Sequence, residues 1–234
     1  MELNRKLASI LLYKLGGNVD HNIYTVKQEL IDNCLDALAN IISIYIDEKE
    51  EKKYLVIEDN GIGIKHIENI FMGDEAKKDK KGCKNQGFLD TIAFLSHYKG
   101  EVDILTKYEE SYSRINVDFS DMRKEFDRQS TNRDIDSIDY SLCQKKLEQG
   151  YTKFNNRHTL EYLQSHPKIF DKIKNGGTII YIQLHKDFDV QNIKNINIQN
   201  FQYLYKENFN LNFMGKEIII NNISDICHAD EFNC

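Results

Sequence analysis

The chain has 234 residues, 41% of them hydrophobic and 29% charged, which is enough for one sizeable core and part of a second domain. Its formal net charge of −6 argues against nucleic-acid binding by the chain as a whole. No apolar run reaches the ~18–20 residues of a membrane-spanning helix, so no membrane partner is expected. Five cysteines without a C-x-x-C pair indicate a reduced intracellular compartment, either cytoplasmic or nuclear.

Helical periodicity dominates the beginning of the chain. Residues 5–15 are predicted to form a short amphipathic helix that stops at a pair of glycines. A capping box, Thr25-x-x-Gln28, is predicted to fix the start of a second helix. The apolar positions of this second helix continue to Tyr45, so we expect the helix to extend that far.

After this helix, short apolar runs alternate with polar stretches. Helices at 65–72 and 87–97 flank a polar stretch, 73–86, which is predicted to be a mobile loop. Strands are predicted at 54–57, 102–105, 113–119, 178–184 and 216–221. A layer of helices against a mixed, mostly antiparallel sheet follows from this order, and it defines an α/β (α+β) fold.

One polar stripe is predicted along the second helix. Four polar side chains follow one another at spacings of four, three and four residues: Glu29, Asn33, Asp36 and Asn40. This spacing places them on one face of a helix. The other positions are mostly apolar or small, so the helix is predicted to be largely buried. Buried carboxylates and amides are costly without partners, and the stripe therefore indicates a site that takes a polar ligand.

A second motif directly follows a predicted strand. It reads Asp59-Asn60-Gly61-Ile62-Gly63 and supplies one carboxylate and two glycines. Taken alone, Asp-Asn-Gly is an ordinary turn. A calcium loop is excluded, because the alternating acidic ligands of such a loop are absent.

Two further glycine-containing motifs complete an ordered series. The first is a lid-like stretch with these positions: Gly82, Asn85, Gly87 and Phe88. The second is the pair Gly177-Thr178, which precedes a strand. In order, E-x-x-x-N, D-x-G-x-G, the lid and G-T resemble the GHKL superfamily, which includes DNA gyrase's ATPase subunit, the ninety-kilodalton heat-shock chaperone, MutL, sensor histidine kinases and MORC proteins. The resemblance implies the two-layer α/β sandwich of that superfamily (the Bergerat fold), with ATP between helices and sheet.

The resemblance implies how the phosphate end of the site works. Glu29 would be the general base that positions and deprotonates the attacking water. Asn33 would bind the magnesium ion that accompanies ATP. Asp36 would lie near the ribose or the phosphates, or would form a structural hydrogen bond to a neighbouring loop. In the lid, Gly87 would open a helix whose free amides hold phosphates, and Asn85 stands where a second glycine is usual.

The resemblance also assigns the adenine end. Asp59 would accept a hydrogen bond from the exocyclic amine of adenine, and it would reject guanine, which carries a carbonyl at that position. Gly61 and Gly63 would let the backbone approach the base closely. The hydroxyl of Thr178 would join a water network near adenine.

Within the superfamily, the sequence resembles the MORC and chaperone-like branch most. The ATP-binding domain is predicted to span 1–188, and 189–234 is predicted to be a C-terminal extension that opens a second, transducer-like domain. Residues 120–175 carry no clear motif. They are open to interpretation as a family-specific insertion, an interface or a support for the lid.

The predicted function is magnesium-dependent ATP binding and slow hydrolysis, which orders the lid and drives homodimerisation. Such an ATPase would act as a clamp or remodelling protein on DNA or protein. Two alternatives stay open: a protein kinase of the same fold, and a nucleotide-sensing module that does not hydrolyse ATP. Glu29 favours hydrolysis, because many sensor histidine kinases have asparagine at this position, although mitochondrial-type kinases also keep a glutamate.

Overall fold

The computed structural model describes residues 23–71, 86–131, 138–194 and 208–220. Within these ranges, eight strands form one sheet. They are β1 (Ile41–Lys49), β2 (Lys52–Asp59), β3 (Glu101–Tyr108), β4 (Ser111–Asp118), β5 (Tyr151–Phe154), β6 (Gly177–Gln183), β7 (Phe209–Phe213) and β8 (Lys216–Ile220). The order across the sheet is β5-β4-β3-β6-β2-β1-β7-β8. Neighbouring strands are antiparallel, except that β1 and β7 are parallel.

Seven α-helices lie among the described residues and pack against this sheet. They are α1 (Ile23–Asp36), α2 (Gln86–Ser96), α3 (Ser120–Ser130), α4 (Tyr140–Gly150), α5 (Asn156–Ser165), α6 (Pro167–Ile173) and α7 (Gln191–Lys194). A short 3₁₀ turn spans Ile67–Ile70. The predicted fold class, with helices over a mixed and mostly antiparallel sheet, is confirmed.

Side chains of the central strands alternate between two cores. Leu55 and Ile57 of β2 join the main core, which also receives the apolar faces of α1 to α4. Tyr54 and Val56 point to the opposite face and join a smaller core with Leu163 of α5. This alternation is the period of two that a strand imposes. The segment 120–175 therefore supplies helices to both faces of the sheet.

The predicted continuation of the second helix to Tyr45 is wrong. The helix ends at Asp36, and β1 begins five residues later at Ile41. Leu38 takes a left-handed conformation with φ of 59°. The backbone N–H groups of Leu38 and Ala39 donate back to carbonyl groups in the last turn of α1, at 2.8 Å and 3.0 Å. This pair of hydrogen bonds is the Schellman arrangement, which ends the helix.

Asn40 therefore lies outside the helical stripe, contrary to the prediction. It precedes β1, where its Oδ1 accepts a hydrogen bond from Nδ2 of Asn60 at 2.7 Å. The Oδ1 of Asn60 in turn accepts from the backbone N–H groups of Asn40 (3.0 Å) and Ile41 (2.9 Å). The buried side chains of Ile42 and Ile44 then alternate with a period of two, as in a strand.

The other predicted elements agree well with the structure where it describes them. All five predicted strands are confirmed, with boundaries shifted by at most three residues. The helix predicted at 87–97 is α2, whereas the one predicted at 65–72 is only the 3₁₀ turn. The sequence pattern missed β5 and β7. The helix predicted at 5–15 and the loop at 73–85 lie outside the described residues.

β7 and β8 extend the same sheet beyond β1. Both strands lie C-terminal to residue 188, where the sequence predicts that the ATP-binding domain ends. The assignment of 189–234 to a second domain stays a prediction.

Candidate functional site

Asp59 is the last residue of β2 and pairs with Thr178, the second residue of β6. Its Oδ1 accepts a hydrogen bond from the backbone N–H of Gly61 at 2.8 Å. The backbone N–H and the hydroxyl of Thr178 lie near the carboxylate and favour its ionised form. Polar groups of Gly61 and Thr178 therefore face a single carboxylate at the end of the strand.

The electrostatic surroundings of Asp59 are unusual for an aspartate. Burial raises the pKa of its carboxyl group from 3.8 to about 6, although the hydrogen bonds from Gly61 and Thr178 act in the opposite direction. The carboxyl group is thus ionised near neutral pH, but burial raises its pKa more than Gly61 and Thr178 lower it. One further donor, supplied by a ligand, would favour the ionised form and relieve part of this cost.

The raised pKa of Asp59 predicts that stability falls as the pH rises from about 4 to about 6. Over this interval the folded state retains a proton that the unfolded state has released, so the free energy of unfolding decreases and then levels off. The change amounts to roughly 3 kcal/mol. We expect urea denaturation across this range to show Asp59→Asn gaining stability relative to the unaltered protein. A difference that stays constant with pH would contradict the desolvation of Asp59.

Two glycines in the loop after β2 leave no room for a side chain. Gly63 has φ of +77°, and a Cβ at this position would overlap the backbone carbonyl of Lys107 on β3. A Cβ on Gly61 would overlap the carbonyl oxygen of Ala37, which accepts a hydrogen bond from the N–H of Ile62 at 2.8 Å. The loop is therefore held between the end of α1 and the end of β3.

α1 presents three of the four predicted stripe residues on one face. Glu29 is half-buried, and Asn33 and Asp36 are exposed. Leu30 and Ile31 point to the other side of the helix, where each is 2% exposed. The helix is therefore buried only on its apolar side, and its polar face stays accessible to a ligand.

The first turn of α2 lies directly against Glu29. A Cβ added to Gly87, the second residue of α2, would overlap both carboxylate oxygens of Glu29. The first turn of a helix carries N–H groups without helical partners and the positive end of the helix dipole. Phe88 points instead into the core, where its ring contacts Phe71 with 6.2 Å between centroids. The fold thus brings the α1 stripe and the end of the lid motif together.

Thr106, which the sequence analysis did not identify, connects the loop after β2 with the start of β6. Thr106 on β3 is fully buried, and its Oγ1 accepts a hydrogen bond from the N–H of Ile64 at 2.9 Å. The same oxygen lies 3.1 Å from the carbonyl oxygen of Gly177 and 3.1 Å from Oγ1 of Thr178. These partners are 42 to 72 residues away in the chain, so no local pattern marks the position.

α1 also contributes a thiol to the surroundings of Asp59. Cys34 is 4% exposed, and burial is the main cause that raises the pKa of its thiol well above 9.0. The nearby charge of Asp59 raises that pKa further. The buried side of α1 therefore packs near the carboxylate that ends β2.

A cavity of about 580 Å³ adjoins the loop after β2. Its walls come from the end of α1, that loop, the β3–β4 turn and the segment before β6. The lining residues are Leu38, Asn60, Gly61, Ile62, Lys107, Tyr108, Glu109, Glu110, Asn175 and Gly176. Asp59, Thr178 and Glu29 are not among its lining residues, but Gly61 and Gly176 join the cavity to the ends of β2 and β6.

The side chains on α1 fit a magnesium ion that is shared with phosphates. Magnesium prefers oxygen ligands and usually takes only one or two from protein when phosphates supply others. Asn33 offers an exposed amide oxygen one turn from Glu29. Among the described residues, no group of three or more His, Cys, Asp or Glu side chains is arranged to hold a metal ion. Gly82 and Asn85, the other predicted lid residues, lie outside the described residues.

Comparison with known protein families gives a match over the first part of the chain. The family model described as "Histidine kinase-, DNA gyrase B-, and HSP90-like ATPase" matches residues 22–150, which is more than half of the chain. Curated protein sequences give no match. No helix among the described residues is both long enough and apolar enough to cross a membrane.

Proposed function

Because the chain belongs to the family of histidine kinase-, DNA gyrase B- and HSP90-like ATPases, we propose that it binds ATP with magnesium and hydrolyses it slowly. The observation that supports this most is that α1 links three sequence-distant motifs, since its buried side packs near Asp59 and its Glu29 lies against the first turn of α2. Asp59 ends β2 beside Thr178, α1 presents Glu29 and Asn33, and the first turn of α2 lies against Glu29.

Adenine recognition is assigned to Asp59. An ionised carboxylate can only accept hydrogen bonds, so it selects a base with an amine at the facing position. Adenine has this amine, whereas guanine presents a carbonyl and would leave the carboxylate without a donor. The donors from Gly61 and Thr178 occupy part of the carboxylate and fix its orientation.

The phosphates are assigned to the gap between α1 and α2. Magnesium, when bound, neutralises phosphate charge and orients the phosphates for attack. Asn33 would hold the ion through its amide oxygen. The first turn of α2 would hold phosphate oxygens through its backbone N–H groups at Gly87. Glu29 would orient the attacking water and accept its proton. Asp36, at the last position of α1, would lie near the ribose or the phosphates.

The consequence of ATP binding is proposed from the resemblance of the sequence to the MORC and chaperone-like branch. The lid between 73 and 87 would close on the γ-phosphate, and closure would create the surface of an ATP-dependent homodimer. Hydrolysis removes the γ-phosphate contacts that stabilise the closed state, so the lid opens. A switch of this kind suits a clamp or remodelling role on a DNA or protein client.

The test of this proposal is thermal unfolding with magnesium and a non-hydrolysable ATP analogue. A ligand at ~100 times its dissociation constant stabilises the folded state by about 2.7 kcal/mol. For a chain of this length we expect the midpoint to rise by several degrees. Asp59→Asn should abolish the rise, because the amide group presents a donor to the adenine amine.

The matched control for this test is Asp171→Asn. Asp171 is an exposed carboxylate on α6 that pairs with Lys174, and it is not one of the residues assigned to the site. This variant should keep the full rise in midpoint. If the unaltered protein shows no rise, the proposal is wrong. A rise that survives Asp59→Asn would remove Asp59 from the adenine site.

A further inference from the structure

We propose that Thr91 is a positioning residue for Glu29. Its hydroxyl group donates a hydrogen bond to the Glu29 carboxylate when phosphates occupy the first turn of α2. The inference rests on the proposed function, because it concerns how the general base is oriented. Thr91 acts on the attacking water only through Glu29 and does not contact ATP.

Thr91 lies in the middle of α2 and carries a buried hydroxyl group without a partner. The residue is fully buried, and no hydrogen-bond partner for its Oγ1 lies among the described residues. A buried hydroxyl group without a partner costs free energy, because it has lost its hydrogen bonds to water and gained none in exchange. Such groups are rare in native proteins, and a role in catalysis is one of their recognised explanations.

Two other buried hydroxyl groups in helices show the usual way to satisfy such a group. Ser96, which is also in α2, donates to the carbonyl oxygen of Ile92 at 2.8 Å. Thr159 in α5 donates to the carbonyl oxygen of Asn155 at 2.9 Å. Both acceptors lie four residues earlier in the same helix, as is common for serine and threonine. The Thr91 hydroxyl does not bond to its own helix in this way, so it remains available to a neighbouring group.

Glu29 is the acceptor that this face of α2 meets. Thr91 and Gly87 are four residues apart in α2 and therefore share one face of the helix. Both carboxylate oxygens of Glu29 lie against Gly87, where an added Cβ would overlap them. Side chains of a helix lean towards its N-terminus, so the side chain of Thr91 lies over the turn that contains Gly87. The donor and the carboxylate are therefore within about one helical turn of each other.

The proposed phosphate site explains why Glu29 would move towards Thr91. The first turn of α2 is assigned to the phosphates, and the Glu29 carboxylate lies against the same turn. Two anions at one helix terminus repel each other, so bound phosphate favours a carboxylate position farther along α2. There the Thr91 hydroxyl donates to one carboxylate oxygen, which leaves the other oxygen to accept the proton of the attacking water.

The experiment measures phosphate release and analogue affinity for Thr91→Val and Thr91→Ser. Valine keeps the branched shape of threonine without the hydroxyl group, whereas serine keeps the hydroxyl group. With magnesium and saturating ATP, we expect turnover to fall about tenfold in the valine variant and to stay within about twofold in the serine variant. The affinity for the non-hydrolysable analogue should change by less than about threefold in both variants.

Thr159→Val is the matched control, because it removes a fully buried helical hydroxyl group that already has a partner. We expect its midpoint of thermal unfolding to fall, and its turnover to be unchanged at a temperature where all variants are folded. Thr91→Val should instead raise the midpoint, since it removes an unpaired buried hydroxyl group. Higher stability together with lower turnover is the opposite of what a purely structural role predicts.

A double variant tests whether Thr91 acts through Glu29. In the Glu29→Gln background, Thr91→Val should cause no further loss of turnover, because the base has already been removed. Additive losses would overturn this inference and leave the proposed function in place. Unchanged turnover in Thr91→Val, or a loss of affinity as large as the loss of turnover, would do the same.

The proposed function fails in a different way. No phosphate release by the unaltered protein would overturn the proposed hydrolysis and this inference with it. If the valine variant does not fold, Thr91→Ala removes the same hydroxyl group, and the same loss of turnover is expected.

Discussion

Glu29→Gln is expected to lower ATP turnover by at least about 100-fold while the affinity for ATP changes little. General-base catalysis by a positioned carboxylate typically contributes 10²–10⁴-fold to a rate. Glutamine has the same shape as glutamate but cannot accept the proton of the attacking water. Turnover is measured as phosphate release with magnesium and saturating ATP, and affinity by titration with the non-hydrolysable analogue.

The geometry around Glu29 explains why glutamine is the appropriate substitution. The carboxylate is half-buried and lies against Gly87 in the first turn of α2, with no space for even one added carbon atom. A shorter side chain such as alanine would leave a gap there and would alter the position of α2. Glutamine fills the same volume, so a loss of turnover can be attributed to the lost base rather than to repacking.

The control is Glu217→Gln, which removes an exposed carboxylate on β8. Its turnover should equal that of the unaltered protein. Unchanged turnover in Glu29→Gln would show that another group acts as the base. If this variant loses ATP affinity instead, the carboxylate serves mainly to hold the first turn of α2. ATP binding without any phosphate release by the unaltered protein would favour the non-hydrolysing alternative.

The parts of the site that lie on local motifs could be predicted from the sequence. The position of Asp59 follows from an apolar strand that ends in Asp-Asn-Gly, and both signals lie within ten residues. The shared face of Glu29 and Asn33 follows from helical spacing alone, since a helix places residues four apart on one side. The contact of Glu29 with Gly87 depends on tertiary packing, and only the family resemblance anticipated it.

The end of α1 shows where local patterns fail. The isoleucine-rich run after Asn40 suits a buried strand and a buried helix equally well, so periodicity does not decide between them. The decision comes from Leu38, which adopts a left-handed conformation that glycine usually supplies at this position. A leucine does not mark the end of a helix in the sequence as a glycine would. The sequence pattern therefore predicts a longer helix.

The features that the sequence missed depend on contacts between distant segments. β7 pairs in parallel with β1, although more than 150 residues separate them. The residues around Thr106 in the sequence are typical of a strand and do not mark it. Its hydrogen-bond partners lie on β6 and in the loop after β2. Such contacts can be predicted only when the order of the strands in the sheet is known, and the patterns of a single sequence do not contain that order.

Gly63→Ala is expected to destabilise the protein by more than about 3 kcal/mol and to abolish ATP binding. Two costs combine at this position. The left-handed conformation, with φ of +77°, costs an alanine about 1–2 kcal/mol. In addition, the new Cβ would overlap the backbone carbonyl of Lys107 and come within 3.0 Å of Oγ1 of Thr106. Backbone on a central strand cannot move aside easily, so the loop must leave its place beside Asp59.

Gly215→Ala separates these two costs. Gly215 lies in the tight turn between β7 and β8, and its φ of +81° matches that of Gly63. A Cβ there meets nothing within 4 Å, so only the conformational cost remains. Reduced freedom of the unfolded chain offsets roughly 0.4–1 kcal/mol of it. Urea denaturation should therefore show a small loss for Gly215→Ala and a large one for Gly63→Ala. Equal losses would mean that Gly63 is needed for its backbone conformation alone and not for the close approach of β3.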